Sequence, residues 1–345
     1  MNKSIILMFL SFMFTNNLSA ELATGKLEEF FVNAGNYDRK VRIYYPSDTP
    51  IDEKTTFIIM NDGEELFLEQ DSWNGRSWRV DKSFDELNQR SIDHNVVIVA
   101  VHSAKRFKGR FFDEARRYIE LFPKEAINYF DEGQMKRIYS SLSTTNYPKF
   151  LVTKVLPFLE EKFQVTLNKN NLGVIGSSMG GISALNTVIE YPDIFGFAGC
   201  VSTHWVGIKP SEYLLLPIRK KIDGDKETTE AIKKYVKANL SKIKNHKIYF
   251  DHGTVGLDYL YRNPQNDINE IFQIFGIEAA RMSIIKEIDE IMEEAYANKS
   301  HKEILEDVIK FLCWVLKYFH CFYEYVSFVF FFLPLTLLLQ YHFSY

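Results

Sequence analysis

The chain has 345 residues, of which 46% are hydrophobic and 25% charged, the composition of a soluble globular protein with a sizeable core. The formal net charge is −4 and no block of Lys and Arg stands out, which argues against a nucleic-acid partner. The three cysteines, Cys200, Cys313 and Cys321, match neither a disulfide framework nor the paired spacing of a zinc site. We interpret them as small apolar residues.

The first twenty residues have the features of an export signal. Lys3 gives a positive start, Ile5 to Phe14 form a short apolar stretch, and Leu18-Ser19-Ala20 ends in a small residue. A stretch this short does not span a bilayer as a helix. We predict a signal peptide over residues 1–20, cleaved after Ala20, and a secreted or periplasmic protein. The alternative is a buried N-terminal strand or helix.

Short β-rich runs then alternate with helical periods. Strands are predicted at 30–32 and 41–45, which form a hairpin about Gly35-Asn36, and at 56–60, 96–101, 172–175, 197–201 and 248–250. Helices are predicted at 83–90 with Ser83 as N-cap, at 147–163 and at 182–189. This alternation predicts an α/β fold, with a mostly parallel sheet covered by helices on both faces. The charged insertion at 209–246 is interpreted as helices capping the site or as a solvated helical face.

The pattern G-x-S-x-G occurs in Gly176-Ser177-Ser178-Met179-Gly180, between a predicted strand and a predicted helix. A serine at such a sharp turn has a strained backbone, and the turn crowds the residues two before and two after it. Glycine at both positions removes the colliding Cβ atoms. The segment therefore predicts Ser178 as a nucleophile. Ser177 is the competing serine, and it lacks these flanking glycines.

Two backbone amides are predicted to form an oxyanion hole. The Met179 N–H follows the nucleophile at a helix N-terminus, where positive potential favours an anion. A second donor is expected from the loop after an earlier strand, here Met60 to Phe67. Gly63 lets this loop turn, so we place the donor at the Glu64 amide, with Glu65 or a plain turn as alternatives.

Four segments together carry a family resemblance. They are Ile59-Met60-Asn61-Asp62-Gly63 with Leu66-Phe67, Arg117-Tyr118-Ile119-Glu120-Leu121-Phe122-Pro123, Ile175-Gly176-Ser177-Ser178-Met179-Gly180-Gly181 with Ala184-Leu185, and Ile248-Tyr249-Phe250-Asp251-His252-Gly253-Thr254 with Leu257-Asp258. Over about residues 28–264 the chain resembles the esterase family of α/β-hydrolases that includes esterase D, feruloyl esterases, enterochelin esterases and the mycolyltransferase antigens. The resemblance implies an α/β-hydrolase fold and cleavage of carboxylic esters without a metal or other cofactor.

The resemblance assigns Ser178 as nucleophile and Asp258 as the triad acid. Asp258 also fits the order serine, acid, histidine that this fold uses, although it could instead cap a helix, and Asp251 is the substitute candidate. Three histidines follow Asp258, at positions 301, 320 and 342. His301 is the predicted base because residues with helical spacing follow it, and a solvated loop histidine is the alternative. His204 and Trp205 are interpreted as pocket-lining, surface or core residues.

The C-terminal part has a different character. Residues 266–294 are similar to a short stretch of the largest subunits of cellular RNA polymerases, which suggests two coding segments joined near Pro264; the alternative is an amphipathic helix pair on the hydrolase edge. Residues 325–345 contain no Asp, Glu, Lys or Arg, and Val326 to Leu339 are almost wholly apolar around Pro334. This segment is interpreted as a membrane anchor, a buried helix or translated non-coding sequence.

These observations predict three regions: a signal peptide at 1–20, an α/β-hydrolase domain at 24–264 that could extend to 312, and a helical extension at 265–345 with an apolar segment at 325–339. The predicted function is a serine carboxylic-ester hydrolase that acts on a small-molecule ester through an acyl-serine intermediate. The alternatives are a fused or impaired hydrolase that lacks its base, and a membrane-anchored binding module on a hydrolase scaffold.

Overall fold

A central sheet forms from the apolar and β-branched runs of the sequence. The computed structural model describes residues 22–277 except 36, 47, 49, 73–74, 90–94, 105–109, 143–145, 208–222 and 253–259. In these residues seven strands pair in the order β1-β2-β4-β3-β5-β6-β7. The strands are β1 Lys26–Asn33, β2 Asp38–Tyr45, β3 Thr56–Asn61, β4 Val96–Val101, β5 Leu172–Ser177, β6 Phe197–Val201 and β7 Lys247–Phe250.

The sheet is mostly parallel, as the sequence predicts. β1 pairs antiparallel with β2, and β2 pairs antiparallel with β4. β4, β3, β5, β6 and β7 all run parallel to their neighbours. Every residue of β3 and β4 is buried, because helices cover both faces of a parallel sheet and leave no solvated side.

The helices lie between the strands in the chain. They are α1 Val80–Gln89, α2 Arg110–Leu121, α3 Gln134–Leu142, α4 Tyr147–Phe150, α5 Leu156–Phe163, α6 Met179–Glu190, α7 Lys226–Asn239 and α8 Arg262–Ile274. Short 3-10 turns occur at Gly63–Glu65, Lys124–Tyr129 and Leu240–Ile243. With the parallel sheet, these helices confirm the predicted α/β fold.

The sheet separates two apolar layers, because successive side chains of a strand point to opposite faces. Ile59, Val97 and Val99 belong to the larger layer. Ile58, Met60 and Ile98, which alternate with them, belong to the smaller layer. A one-residue shift of β3 would therefore exchange the two sets of side chains.

The predicted N-cap at Ser83 is wrong. α1 begins at Val80, and Ser83 lies inside it as a buried residue whose N–H bonds to the Arg79 carbonyl oxygen at 3.3 Å. The first turn is instead stabilised by Asp81, which is fully buried. Its carboxylate accepts hydrogen bonds from the Arg79 guanidinium and, at 2.7 Å, from the distant Ala23 N–H. Tertiary contacts, which sequence spacing does not show, thus set this helix start.

The predicted helix at 147–163 is confirmed in extent but is not a single α-helix. A π-helical turn, Leu151–Val155, separates α4 from α5. Pro157 lies at the start of α5. Backbone N–H groups in the first helical turn have no acceptor within the helix, so a residue that lacks an N–H destabilises the helix least there. The missing donor and the ring of Pro157 explain why the α-helical hydrogen bonds are interrupted just before it.

The described part of the charged 209–246 insertion includes a packed helix. α7 buries Ala231, Ile232 and Tyr235 in the larger apolar layer, while Lys226, Lys234 and Lys237 are exposed. The Asp225 carboxylate caps its start by accepting from the Thr228 N–H at 2.8 Å. Residues 208–222 of the insertion lie outside the described residues.

α8 crosses Pro264 and packs on the sheet. Ile268 and Phe272 are buried, and the Phe272 ring meets the Phe250 ring of β7 edge-on at 5.2 Å. The predicted signal peptide, the remainder of the 265–345 extension from residue 278 and its apolar segment at 325–339 lie outside the described residues. Among the helices that the structure does describe, none has the length and hydropathy needed to cross a bilayer.

Candidate active site

The turn between β5 and α6 has the strained geometry that the sequence predicts. Ser178 has φ 58° and ψ −117°, a backbone conformation unfavourable for a residue with a side chain. β5 ends at Ser177 and α6 begins at Met179, so Ser178 is the single residue between strand and helix. Its side chain is half-buried.

The two flanking glycines allow the turn to close. A Cβ at Gly176 would lie 2.4 Å from the Gly180 carbonyl oxygen and 2.8 Å from the Gly180 Cα. A Cβ at Gly180 would lie 2.9 Å from the Asp62 carboxylate. All three distances are shorter than real Cβ contacts, so a side chain at either position would be crowded, as the sequence predicts.

Hydrogen bonds from the neighbouring strand hold Ser178 in place. Its N–H donates to the Val201 carbonyl oxygen at 2.9 Å, at the end of β6. Its own carbonyl oxygen accepts from the Gly181 N–H at 3.0 Å and from the His204 N–H at 3.2 Å. The surrounding contacts thus support a local backbone strain that costs about 1–3 kcal/mol.

The Met179 amide occupies the first position of α6. Amides of the first helical turn have no acceptor one turn back, and the helix dipole gives this end a partial positive charge. The position of this amide is compatible with the predicted role of Met179 as an oxyanion donor, which stays a prediction. The Met179 side chain is buried in the larger apolar layer, and this packing helps to hold the residue in place.

The predicted oxyanion loop lies against the nucleophile turn, because β3 and β5 are parallel neighbours whose carboxyl ends share one edge. Asn61, the last residue of β3, donates to the Gly180 carbonyl oxygen at 2.9 Å. Its own side-chain oxygen accepts from the Tyr147 hydroxyl at 2.8 Å. Gly63 packs so tightly on β4 that a Cβ would lie 2.6 Å from the Ala100 backbone.

Of the two amides considered for the second oxyanion donor, that of Glu65 closes the 3-10 turn Gly63–Glu65. Its N–H donates to the Asp62 carbonyl oxygen at 2.8 Å. The assignment of the donor to Glu64 stays a prediction. Its carboxylate is buried and accepts from the Ser103 N–H at 2.9 Å and from the Ser103 hydroxyl.

An ion pair between a buried carboxylate and a partly buried guanidinium connects the predicted oxyanion loop to α2. Arg117 Nε donates to Asp62 Oδ1 at 2.5 Å, and its Nη2 donates to Oδ2 at 2.6 Å. Burial raises the pKa of the Asp62 carboxyl, and the Arg117 guanidinium acts in the opposite direction. Arg117 also donates to the Ser177 carbonyl oxygen at 3.4 Å. The sequence offered Arg117 only as part of a familiar stretch, and its contacts become visible only in the fold.

His204 and Trp205 follow β6 and are buried, so the surface role considered for them is wrong. His204 Nδ1 shares a hydrogen bond of 2.7 Å with the Tyr261 hydroxyl, and Trp205 Nε1 donates to the Gln265 side chain at 2.8 Å. These bonds attach the chain after β6 to α8. Burial, aided by the nearby Arg117 charge, lowers the pKa of His204 to about 4, so the ring is neutral at physiological pH.

Of the candidates for the acid and the base of the predicted triad, the structure describes only Asp251. Asp251, the substitute acid, accepts from the Ser202 N–H at 2.7 Å and from the Tyr249 hydroxyl at 3.2 Å, and so joins the ends of β6 and β7. Asp258 and His301 lie outside the described residues and stay predictions. The described part of the chain contains no group of three or more His, Cys, Asp or Glu side chains that could hold a metal ion.

The sheet order, the antiparallel second strand and the strained serine between β5 and α6 define an α/β-hydrolase. At the carboxyl edge of its parallel strands, the turn at Ser178 and the loop after β3 lie side by side. The family model described as "Putative esterase" matches residues 33–274, well over half of the chain. The chain therefore belongs to this esterase family, as the sequence resemblance implied.

Individual relatives are distant. The Bacillus subtilis (strain 168) "Uncharacterized protein YjcH" is 22% identical over 171 residues, which cover 49% of this chain and 57% of that protein. The chain thus spans less than two thirds of that relative. A ferulic acid esterase structure is 15% identical with a TM-score of 0.48, and the match covers 74% of this chain and 88% of that one. The enterobactin esterase FES from Shigella flexneri is 16% identical with a TM-score of 0.47, over 74% and 53% of the two chains.

Proposed function

We propose that the protein hydrolyses small-molecule carboxylic esters through an acyl-serine intermediate on Ser178. The observation that carries the proposal is the backbone of Ser178, held at φ 58° and ψ −117° between two glycines that cannot accept a Cβ. Strain of this kind persists only where surrounding contacts enforce it, and it is typical of a nucleophile turn. Membership of the esterase family supports the same reaction class.

The chemistry follows from the parts around the turn. The Ser178 Oγ attacks the ester carbonyl carbon while a histidine takes its proton, and the carbonyl oxygen becomes an anion. The Met179 amide and an amide of the Gly63–Glu65 turn stabilise that anion. The C–O bond to the alcohol then breaks, and the alcohol leaves with the proton from the histidine. Water attacks the acyl-serine in the same way and releases the acid.

His301 is proposed as the histidine and Asp258 as the acid that orients it. The proposal rests on the order serine, acid, histidine in the chain and on the position of Asp258 shortly after β7. Asp251 is already engaged with Ser202 and Tyr249 between two strand ends, which favours Asp258 for the orienting role.

The test is hydrolysis of a short p-nitrophenyl ester by the full chain and by three variants. Ser178→Ala should lower kcat by about 10³-fold or more, whereas the matched control Ser177→Ala should retain most of the activity. His301→Ala should reduce kcat to a similar extent if this residue is the base. Equal activity of the parent and Ser178→Ala would reject Ser178 as nucleophile. Loss only in Ser178→Ala would keep the esterase and move the base to another histidine.

A further inference from the structure

One side chain contacts both segments that carry the predicted oxyanion donors. The Arg117 guanidinium binds the Asp62 carboxylate with two hydrogen bonds, at 2.5 and 2.6 Å, and reaches the Ser177 carbonyl oxygen at 3.4 Å. Asp62 immediately precedes the turn Gly63–Glu65, and Ser177 immediately precedes Ser178. We propose that Arg117 is a positioning residue that clamps the oxyanion loop to the nucleophile turn and so sets the distance between the two oxyanion donors. This inference rests on the proposed function of Ser178.

The Asp62 end of the clamp controls the backbone of the loop. Asp62 has φ 56° and ψ 48°, a left-handed conformation that a non-glycine residue adopts only with support. It is the residue before the 3-10 turn, so its conformation sets the direction in which the Gly63 and Glu64 amides point. Its side chain is almost fully buried, and the Arg117 fork is the contact that holds both carboxylate oxygens.

The Ser177 end controls the nucleophile side. The carbonyl of Ser177 belongs to the peptide group that continues into the Ser178 nitrogen, and that nitrogen donates to Val201 on the opposite side. The Ser178 backbone is therefore held between β6 and the guanidinium. The position of a Cβ built on Gly180, 2.9 Å from the Asp62 carboxylate, shows how closely the clamped carboxylate lies against the start of α6.

The helix that carries Arg117 is itself firmly placed, as a clamp requires. The next residue, Tyr118, is buried and its ring meets the His204 ring edge-on at 5.7 Å. Glu120 is buried and forms an ion pair with the buried Arg39 of β2. α2 also packs against α6, the helix that starts at Met179. Rigid elements with supporting contacts hold a site more accurately than loops do.

Guanidinium geometry is needed for this role. A planar fork can bind two carboxylate oxygens and still offer a donor to a third acceptor, whereas a lysine ammonium is a point charge on a flexible stem. Arg117→Lys keeps the positive charge beside the buried Asp62, so it separates geometry from charge. The matched control is Arg116→Met on the same helix, where the guanidinium lies over the Tyr37 ring, 5.6 Å from its centre.

The kinetic test compares kcat and KM for a p-nitrophenyl ester. A shift of about 1 Å at an oxyanion donor lowers the rate about 10²-fold, so Arg117→Lys should lower kcat by that order with KM nearly unchanged. The double variant Asp62→Asn with Arg117→Met removes both charges of the pair, so no unpaired charge stays beside the loop; it should fold but keep the low kcat. Arg116→Met should keep the parent values. Parent kcat in Arg117→Lys, or a rise in KM alone, would overturn the clamp.

Amide hydrogen exchange tests the clamp without any activity. In Arg117→Lys, peptides covering 61–66 and 177–182 should both exchange about tenfold faster, since the loss of a hydrogen bond is worth roughly that factor, while the β4 peptide 96–101 stays protected. Faster exchange in only one of the two peptides, or in neither, would refute the clamp. If the parent hydrolyses no ester, the proposed function fails, and the exchange result alone decides whether Arg117 joins the two segments.

Discussion

Gly176→Ala tests whether the closed nucleophile turn is needed for activity. The new methyl group would lie 2.4 Å from the Gly180 carbonyl oxygen, 2.5 Å from the Gly180 carbonyl carbon and 2.8 Å from its Cα. All three atoms are backbone, so no side chain can rotate away. The turn must open by roughly half an ångström or more before these contacts become tolerable.

The magnitude follows from that displacement. Overpacking of a well-packed region costs about 1–3 kcal/mol, so the free energy of unfolding should fall by that amount. Catalytic groups tolerate about 0.5 Å of displacement, and a shift of about 1 Å costs about 10²-fold in rate, so kcat should fall by about 10- to 100-fold. Both effects come from one methyl group that touches no substrate.

The assay is p-nitrophenyl ester hydrolysis beside urea unfolding. Gly133→Ala is the control, because a Cβ there would lie 3.7 Å from the nearest atom, an ordinary contact. The control should keep the parent kcat and stability. A folded Gly176→Ala protein with the parent kcat would show that activity tolerates an opened turn, and the closed turn would then not be needed for catalysis.

Two further predictions concern stability. Glu120→Gln leaves the buried Arg39 charge without its partner, so the free energy of unfolding in urea should fall by about 3–5 kcal/mol. The control Glu132→Gln, at an exposed pair with Lys136, should cause no measurable change. Equal effects of the two substitutions would contradict the prediction that burial decides the cost. Burial lowers the pKa of His102 and His204 from 6.5 to about 4. Between pH 6.5 and 4 the unfolded chain therefore binds protons that the folded protein does not. As the pH is lowered through this range, the free energy of unfolding falls, by about 2 kcal/mol per histidine at pH 5. A His204→Asn variant should lose less stability between pH 7 and 5 than the parent, and an identical loss would contradict the assignment.

The elements that could be predicted are those whose signal is local. β3 and β4 are continuous apolar runs, which burial on both faces requires, and they lie at the predicted positions. β1 was predicted only at 30–32, yet it spans Lys26–Asn33. Its charged half pairs across strands, with Glu29 accepting from Lys40 and Arg42 of β2 at 3.1 and 3.0 Å. A pattern of apolar residues does not show such pairs.

In the candidate site, too, features with a local sequence signal could be predicted and contacts between distant residues could not. The strained turn at Ser178 can be recognised within five residues, because the two glycines lie two positions before and two positions after the serine. The Arg117–Asp62 pair joins residues 55 positions apart and depends on how α2 lies against the loop after β3. No spacing rule predicts a contact of that kind. The buried positions of His204 and Trp205 likewise depend on Gln265 of α8 and on Tyr261, the residue before this helix.

Covalent labelling with a fluorophosphonate tests Ser178 as the nucleophile most directly. The reagent phosphonylates an activated serine, which displaces fluoride while the serine proton is lost, and the adduct adds a fixed mass to one peptide. A single adduct is expected, mapped by mass spectrometry to Ser178. It should be absent in Ser178→Ala and retained in Ser177→Ala. An adduct on another residue, or none on a folded protein, would contradict the assignment of Ser178.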